Sequence, residues 1–578
     1  MYILGIHDGH NSGACVLQDG KVVAAVSAER LSKVKNDTGY SRAAVAEVLK
    51  IAWIKPSDVE IVAIASTQRS TREWFMQTDT WYQSRLPEIV ANAEFAFPPL
   101  RSLYPAVNFV TRNFIKRVSL DNSGLVDRIK DDFGFENAKF SFVDHHLSHA
   151  AASYYGRPWD SETLILTLDG RGDGICASVS IGKGAEITRI SSTRGGHSVA
   201  EVYLGVTSFL GMKPLEHEYK VMGLAPYASK AHGEKAARLF DGLISINDDL
   251  SFSSKIRTNV SYYWVRKHFA QQRFDNVAYA VQKFTEDLAV EWVRKAVAKT
   301  GIPNVVLGGG LFMNVKLNKL VLELPEVKKL FIAPSCSDES LMIGAAMVEH
   351  AKASGRRPEP LKEIYYGGSF GDDYVKDFLV KNSVPKKYRV QQFKDINGVV
   401  AELLAKNKVV ARCSGRMEFG ARSLGNRSIL ANPSSFSNVR IINQMIKSRD
   451  FWMPFAPSIL AEAEREYIIN PKSMPSPYMI LAFDSVEKNR DEIVAAMHQY
   501  DFTVRPQVVD KPYNSDYHSI LKQFQKHSGI GAVLNTSFNL HGFPVVYSPE
   551  DAYYVFENSG LEYLQLGSFI ISKQKRQH

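Results

Sequence analysis

Short apolar runs broken by polar, glycine-bearing turns open the chain. Apolar residues dominate positions 3–6, 14–17 and 22–26, with Asp8 to Gly13 and Asp19-Gly20 between them. Runs of this length bounded by turn residues predict three strands joined by tight turns. The pattern returns 164 − 3 = 161 positions later: residues 3–15 read ILGIHDGHNSGAC and residues 164–176 read LILTLDGRGDGIC. Each copy then has a second apolar run, a turn (Asp19-Gly20; Gly182-Lys183-Gly184) and a third strand (22–26; 187–190). A repeat reveals architecture more firmly than local propensity does, although two unrelated hairpins with Asp-Gly turns would give a weaker form of the same pattern. Farther on, Val281, Phe284, Leu288, Trp292 and Ala296 recur at helical spacing, and the segment ends at Gly301 with Pro303 beyond. Those residues predict a helix packed through one stripe. Residues 305–316, VVLGGGLFMNVK, then place Gly308, Gly309 and Gly310 directly after a strand, with Asn314 where a helix begins. Strands alternating with helices make the expected fold class α/β.

Composition narrows the class of protein. The chain has 578 residues, 45% of them apolar, which excludes disorder by composition and, at about 100 to 200 residues per domain, predicts two to four domains. No stretch approaches the ~18 to 20 apolar residues of a membrane-spanning helix, and the first residues run straight into a strand; a soluble, cytoplasmic protein is expected. Cys15, Cys176, Cys336 and Cys413 are scattered, without a C-x-x-C, so neither a disulfide framework nor a thiolate zinc site is expected. The charge surplus, 70 − 61 = +9 over the whole chain, is too thin and dispersed for a nucleic-acid footprint and suits anionic small substrates equally well. No heptad repeat specifies an oligomer. Ala353-Ser-Gly-Arg-Arg-Pro-Glu-Pro360, small and polar, reads as a linker between domains 1–355 and 361–578.

Two constellations in the first domain carry chemistry. His145 and His149 in VDHHLSHAA are four apart, one face of a helix. Asp169, at the end of the second copy's first strand, and Asp338, in APSCSDES, would face the same cleft. Two imidazoles and two carboxylates suit iron, manganese or zinc and do not choose among them. There is no Glu of an H-E-x-x-H protease pattern. His10, in the turn Asp8-Gly9-His10-Asn11-Ser12-Gly13, is placed either to take a proton from an attacking hydroxyl or merely to cap its turn. His7 is the fallback, although strand alternation marks it as a core or edge residue. The two glycine-rich turns and the Gly308-Gly309-Gly310 loop allow backbone N–H groups to approach a nucleotide, with Asn314 beside them.

The second domain reads as an anion site. Arg416, Arg422 and Arg427 are interleaved with glycines in GRMEFGARSLGNRS, a possible oxyanion cradle. Lys447, Arg449, the aromatic and proline run Phe451 to Pro457, Arg505, Gln507 and the strand-end set Asn535 to Asn539 follow. Short amides and hydroxyls there can read both an amide and a phosphate.

The ordered set HDGHNSGA, VDHHLSHA, LTLDGRGDG, EYKVMGLAPY, GGGLFMN, SCSDES, GRMEFGARSLGNRSIL, KSRDFWMPFAPSIL, TVRPQVV and LNTSFN, spread over nearly the whole chain, resembles the O-carbamoyltransferases of antibiotic and nodulation-factor biosynthesis. The resemblance implies a duplicated actin-like domain of the threonylcarbamoyl-transfer type followed by a YrdC-like α/β domain. It implies His145, His149, Asp169 and Asp338 as metal ligands, with Fe(2+) the metal, and His10 as catalytic base. Gly308, Gly309, Gly310 and Asn314 would bind nucleotide; Lys447, Arg449, Arg505, Asn535 and Ser537 would bind carbamoyl phosphate. ATP, with Mg(2+), would be the co-substrate, carbamoyl adenylate the intermediate and a hydroxylated small molecule the acceptor. In the first turn Asn11 and Ser12 stand where the family has Asp and a small residue, which loosens the pose expected of His10. An aromatic-rich stretch at about 70–120 has no place in a nucleotide fold and is expected either to line the acceptor pocket or to pack on its own domain. The rival readings are a threonylcarbamoyladenosine-type tRNA modification enzyme and a non-catalytic actin-like or chaperone-like ATP-binding module, which would leave the histidines and the arginine set without a role.

Overall fold

The first three apolar runs are strands β1 (Tyr2–His7), β2 (Gly13–Gln18) and β3 (Lys21–Ser27) in the computed structural model, which describes residues 1–68 and 122–573. The segment expected near 70–120 lies outside the described residues. β1 pairs antiparallel with β2, Gly5 opposite Cys15, and parallel with β4 (Val59–Ala65), which pairs parallel with β5 (Lys139–Val143). The sheet order is β3-β2-β1-β4-β5. The second copy gives β6 (Thr163–Gly172), β7 (Ile175–Lys183) and β8 (Glu186–Arg194); a small ribbon follows, β9 (Ile244–Ile246) and β10 (Phe252–Ser254), then β11 (Asn304–Gly308) and β12 (Lys329–Ile332). Its order, β8-β7-β6-β11-β12, repeats that of the first sheet, with β6 antiparallel to β7 and parallel to β11. Ile3, Leu4, Val62, Ile64, Leu164 and Val306 are wholly buried, which is why these strands read as unbroken apolar runs rather than as alternating ones.

Two helices fill the space between these sheets. Leu341–Ser354 packs on β1 and β4, His145–Gly156 packs on β6 and β11, and the two helices pack on each other. They approach so closely that a Cβ on Gly344 would fall 1.8 Å from the Ser148 carbonyl oxygen, so glycine is required there. The long helix Phe274–Thr300 buries Val281, Leu288, Trp292 and Ala296 and ends on left-handed Gly301, φ 71°.

The chain is a mixed α/β protein whose described residues divide into two compact units: 1–24 with 36–361, and 25–35 with 362–578. The division near the linker falls at Leu361/Lys362. Residues 353–360 stay with the first unit, where Glu359 N–H donates to the Gly20 carbonyl and Leu361 N–H to that of Gly156, each bond holding the stretch down. The second unit carries an eight-stranded mixed sheet in the order Arg389–Gln392, Phe569–Ser572, Tyr563–Leu566, Val410–Cys413, Arg427–Ala431, Ala532–Ser537, Ala456–Leu460 and Gln507–Val509. Its core gathers Ile429, Leu534, Phe538, Phe556, Leu564 and Ile571. Residues 25–35 belong here through the Ala25 N–H bond to the Tyr366 carbonyl, the buried Arg30 guanidinium on the Gly420 carbonyl (2.8 Å) and the Lys33–Asp551 ion pair. No helix among the described residues is long and apolar enough to cross a membrane.

Candidate active site

Asp144 caps the helix that carries both histidines, its carboxylate accepting from Leu147 N–H, while Asp173 accepts from the His145 N–H at 2.8 Å. The 3.6-residue pitch then puts His145 and His149 on one face with Nε2 atoms 3.2 Å apart. Asp169, expected at the end of its strand, lies three residues inside it: β6 continues to Gly172, and the register shifts between Leu168 and Gly172, where the Asp169 carboxylate faces the histidines. Its Oδ2 lies 3.4 Å from His145 Nε2. Asp338 opens the single turn Asp338–Ser340 ahead of the second helix, its Oδ1 3.4 Å from His149 Nε2 and 3.7 Å from His145 Nε2.

All four predicted ligands therefore meet, one donor atom from each within 4.8 Å of the others. Donors about 2.0 to 2.2 Å from one ion lie about 3 to 4.4 Å apart, which matches most of these separations. Ser66 Oγ holds His145 Nδ1 at 3.0 Å, which aims Nε2 inward, and the site is buried. Burial works against a charged His145, yet the Asp169 hydrogen bond and the Asp338 charge raise its pKa to about 9. Burial likewise opposes charge on Asp169 and Asp338, and the imidazoles override it, holding both carboxyls below the usual range. A cation would replace the shared protons between these groups, so the donor set fits a divalent metal. His146, between the two ligands, is engaged elsewhere: its ring nitrogens bond Thr167 Oγ1 (2.7 Å) and the Ile175 carbonyl (3.1 Å).

The glycine triplet serves this centre. A Cβ on Gly308 would lie 2.8 Å from the His149 carbonyl oxygen, and one on Gly309 (φ 98°) would lie 2.4 Å from that of Leu168. Gly310 N–H donates to Asp169 Oδ1 at 2.9 Å. The bare backbone is thus filled by protein and orients a carboxylate that is one of the four candidate ligands. Asn314 caps the helix Val315–Glu323 through Leu317 N–H and exchanges amide hydrogen bonds with Gln282, which in turn accepts from the Tyr203 hydroxyl. His10 sits in its turn, half-buried, in a bridge with Thr38. His7 is 2% exposed, and its Nε2 bonds the His10 carbonyl at 2.9 Å.

In the second unit the structure assembles the predicted cations. A π-helical turn (Asn443–Lys447) ends on left-handed Ser448, φ 43°, and presents Lys447 and Arg449. Lys447 Nζ donates to Asn539 Oδ1 (2.7 Å) and Ser537 Oγ (3.1 Å), and Arg449 donates to Thr536 Oγ1 (3.0 Å) while lying 4.7 Å over the Phe455 ring. Burial, then Arg449 and Lys35, pushes the Lys447 amine well below its ordinary pKa. Burial, then Arg422 and Arg449, does the same to Arg505. The charges acting on both groups are cations, so positive charge is concentrated here. Asn535 donates to the Ser423 carbonyl, Ser458 Oγ and Gln507 Oε1, and its own Oδ1 is buried without a partner. Thr536 and Asn539 belong to the strand-end set expected from the sequence, whereas Lys35 was missed; it lies over 400 positions from Lys447 and carries no local signal.

The arginine cradle is corrected in part. Arg427 is wholly buried and donates to the carbonyls of Tyr547, Asn426, Gly415, Ser414 and Gly368, five acceptors that leave it no reach for a ligand. Arg416 is bound to the carbonyls of Tyr366 and Gly367. Both are staples of the loop, closing backbone groups that a glycine-rich segment leaves unpaired. Of the three, only Arg422 stands among the anion-site charges.

Residues 2–347 match the carbamoyltransferase N-terminus family and residues 401–573 the carbamoyltransferase C-terminus family. These matches define a transferase, and the chain belongs to the carbamoyltransferase family. It is similar to an uncharacterised protein of Methanocaldococcus jannaschii, 30% identical over 99% of this chain and 100% of that one. It is similar also to nodulation protein NolNO of Sinorhizobium fredii, 30% identical over 98% of this chain and 79% of that one. Among solved structures, full-length HypF in its phosphate- and nucleotide-bound form overlaps 61% of this chain and 47% of that one, with 13% identity and a TM-score of 0.34.

Proposed function

We propose that this carbamoyltransferase is ATP-dependent, that it forms carbamoyl adenylate, and that it carbamoylates a hydroxyl of a small molecule. The observation that carries the proposal is the anion site, in which Lys35, Arg422, Lys447, Arg449 and Arg505 are held together with only like charges acting on Lys447 and Arg505. Carbamoyl phosphate is a dianion that such a cluster of cations would attract, and Asn535 supplies an amide. In this reading the second unit is YrdC-like and the first a duplicated actin-like fold, the two 3-2-1-4-5 sheets supporting the duplication.

Water takes the phosphate from carbamoyl phosphate, and the carbamate oxygen attacks the α-phosphorus of ATP, with pyrophosphate leaving. At the first unit His10 accepts the acceptor's hydroxyl proton, the oxygen attacks the carbamoyl carbon, and AMP leaves. A divalent cation, iron in this reading, held by His145, His149, Asp169 and Asp338, would polarise the carbamoyl carbonyl as a Lewis acid. Asp169 is kept in place for that role by Gly310, and His145 by Ser66.

The test is pyrophosphate release from ATP and carbamoyl phosphate without an acceptor, with Arg505→Ala alongside. Release that needs both substrates and falls about a hundredfold in the variant is expected; release with ATP alone would end the adenylate reading. Candidate hydroxylated metabolites are then screened for ¹⁴C-carbamate formation, with His10→Ala as the control for the base.

A further inference from the structure

The turn that carries His10 is held from two sides, and one of them is unusual. From outside, Ser12 N–H and Oγ both donate to the Asp37 carbonyl (3.0 and 3.2 Å), and Gly39 N–H donates to the Asp8 carbonyl (3.0 Å). From inside, the ring of His7 lies under the turn, with Nε2 2.9 Å from the His10 carbonyl oxygen. A carbonyl only accepts, so Nε2 carries the proton, which fixes the tautomer of His7. Gly9 makes room for this ring: a Cβ there would lie 2.7 Å from His7 Cε1 and 2.9 Å from Nε2. The chain has thus placed a buried imidazole and a bare glycine together so that the ring can reach one carbonyl.

That carbonyl controls the peptide plane between His10 and Asn11. Asn11 stands in the left-handed region, φ 57°, which asparagine enters more readily than other non-glycine residues and which the bonds on either side of the turn stabilise. If the plane turned over, the φ of Asn11 would return to negative values and the His10 carbonyl would leave His7. The His7 bond holds that plane and so anchors the stretch of backbone to which the His10 side chain is attached.

We infer that His7 is a positioning residue for His10: its Nε2–H, by holding the His10 carbonyl, fixes the conformation in which the His10 imidazole is presented. This rests on the reading of His10 as the base only for its catalytic meaning; the positioning itself is a statement about the turn. It also assigns a role to the first histidine of HDGH that leaves its ring out of the proton transfer.

The test uses the full chain labelled with ¹³C and ¹⁵N at histidine, together with hydrogen exchange of the Asn11 and Ser12 amides. In the native chain the His7 ring should show the Nε2–H tautomer. His7→Leu, which keeps bulk and removes the donor, should shift or broaden the His10 ring signals and cut Ser12 amide protection at least tenfold. His7→Gln places an Nε2–H at similar reach and should restore both. Signals of His145 and His149 that stay in place in His7→Leu show that the unit is folded. An unchanged His10 spectrum in His7→Leu overturns the inference, as does a change that His7→Gln fails to restore. Full carbamoyl transfer by His10→Ala would instead remove the base reading and leave the spectroscopic result standing, so the two failures are separable.

Discussion

Lys447 shows how a buried cation can await its ligand. Burial and the charges of Arg449 and Lys35 push its pKa down, and a bound dianion reverses the second of these effects. The sign follows: a lysine whose pKa is depressed in the free site and restored in the complex takes up a proton on binding. If carbamoyl phosphate is that dianion, its binding is therefore expected to be accompanied by net proton uptake and to weaken as pH rises. Calorimetry in buffers of differing ionisation enthalpy would show this, and proton release would contradict it. Arg427 is the opposite case, a cation whose ligands are all backbone. Arg427→Met should cost about 3 kcal/mol or more, because five carbonyls lose their donor inside the core; thermal melting of the variant measures it. The two kinds of arginine looked alike in sequence. Spacing and glycine content predicted charge near backbone for both, and only the burial of Arg427 in the central strand reveals which carbonyls it serves. Lys447, Arg449 and Ser537 were legible because strand-end hydroxyls and clustered cations have few other uses, whereas Lys35 was not, since its partner lies far along the chain.

Strand β11 and the glycines after it decide how the metal donors meet. Gly309→Ala introduces a Cβ 2.4 Å from the Leu168 carbonyl at a φ of 98°, so the loop must move and drag Gly310 away from Asp169. The expected result is a folded protein with metal affinity lowered by about ten- to a hundredfold, the range for loss of a ligand-orienting group. Elemental analysis after dialysis against chelator checks this, with His149→Ala as the variant that retains no metal. The strands of both sheets were readable from ILGIHDGHNSGAC and LILTLDGRGDGIC because each sheet buries its strands against a helix and so keeps a similar apolar run. The bulge that aims Asp169 was not, since a register shift depends on the partner strand. The same limit applied to Gly308, Gly309 and Gly310: the sequence showed that something must approach closely there, and the structure shows that the neighbours are Leu168, Asp169 and His149.

The two units do not correspond to two consecutive stretches of sequence. Residues 25–35 run on from a strand with no change in composition, so nothing local marks them as part of the second unit. A fragment of 362–578 lacks Ala25, Arg30, Lys33 and Lys35, and should be less stable and bind carbamoyl phosphate at least tenfold more weakly than the full chain. Adding a peptide of residues 25–35 should recover part of that loss, measured by the melting temperature and by binding; an equally stable, fully binding fragment would contradict the division. The chain crosses between its units after Ala24, after Lys35 and again after Leu361. During synthesis, then, the eleven residues from Ala25 emerge more than three hundred positions ahead of the strands they join. At about 5 to 20 residues per second they wait on the order of tens of seconds for that partner. The second unit is consequently completed by residues synthesised well before the rest of it, and its folding is expected to be slowed by contacts of such long range.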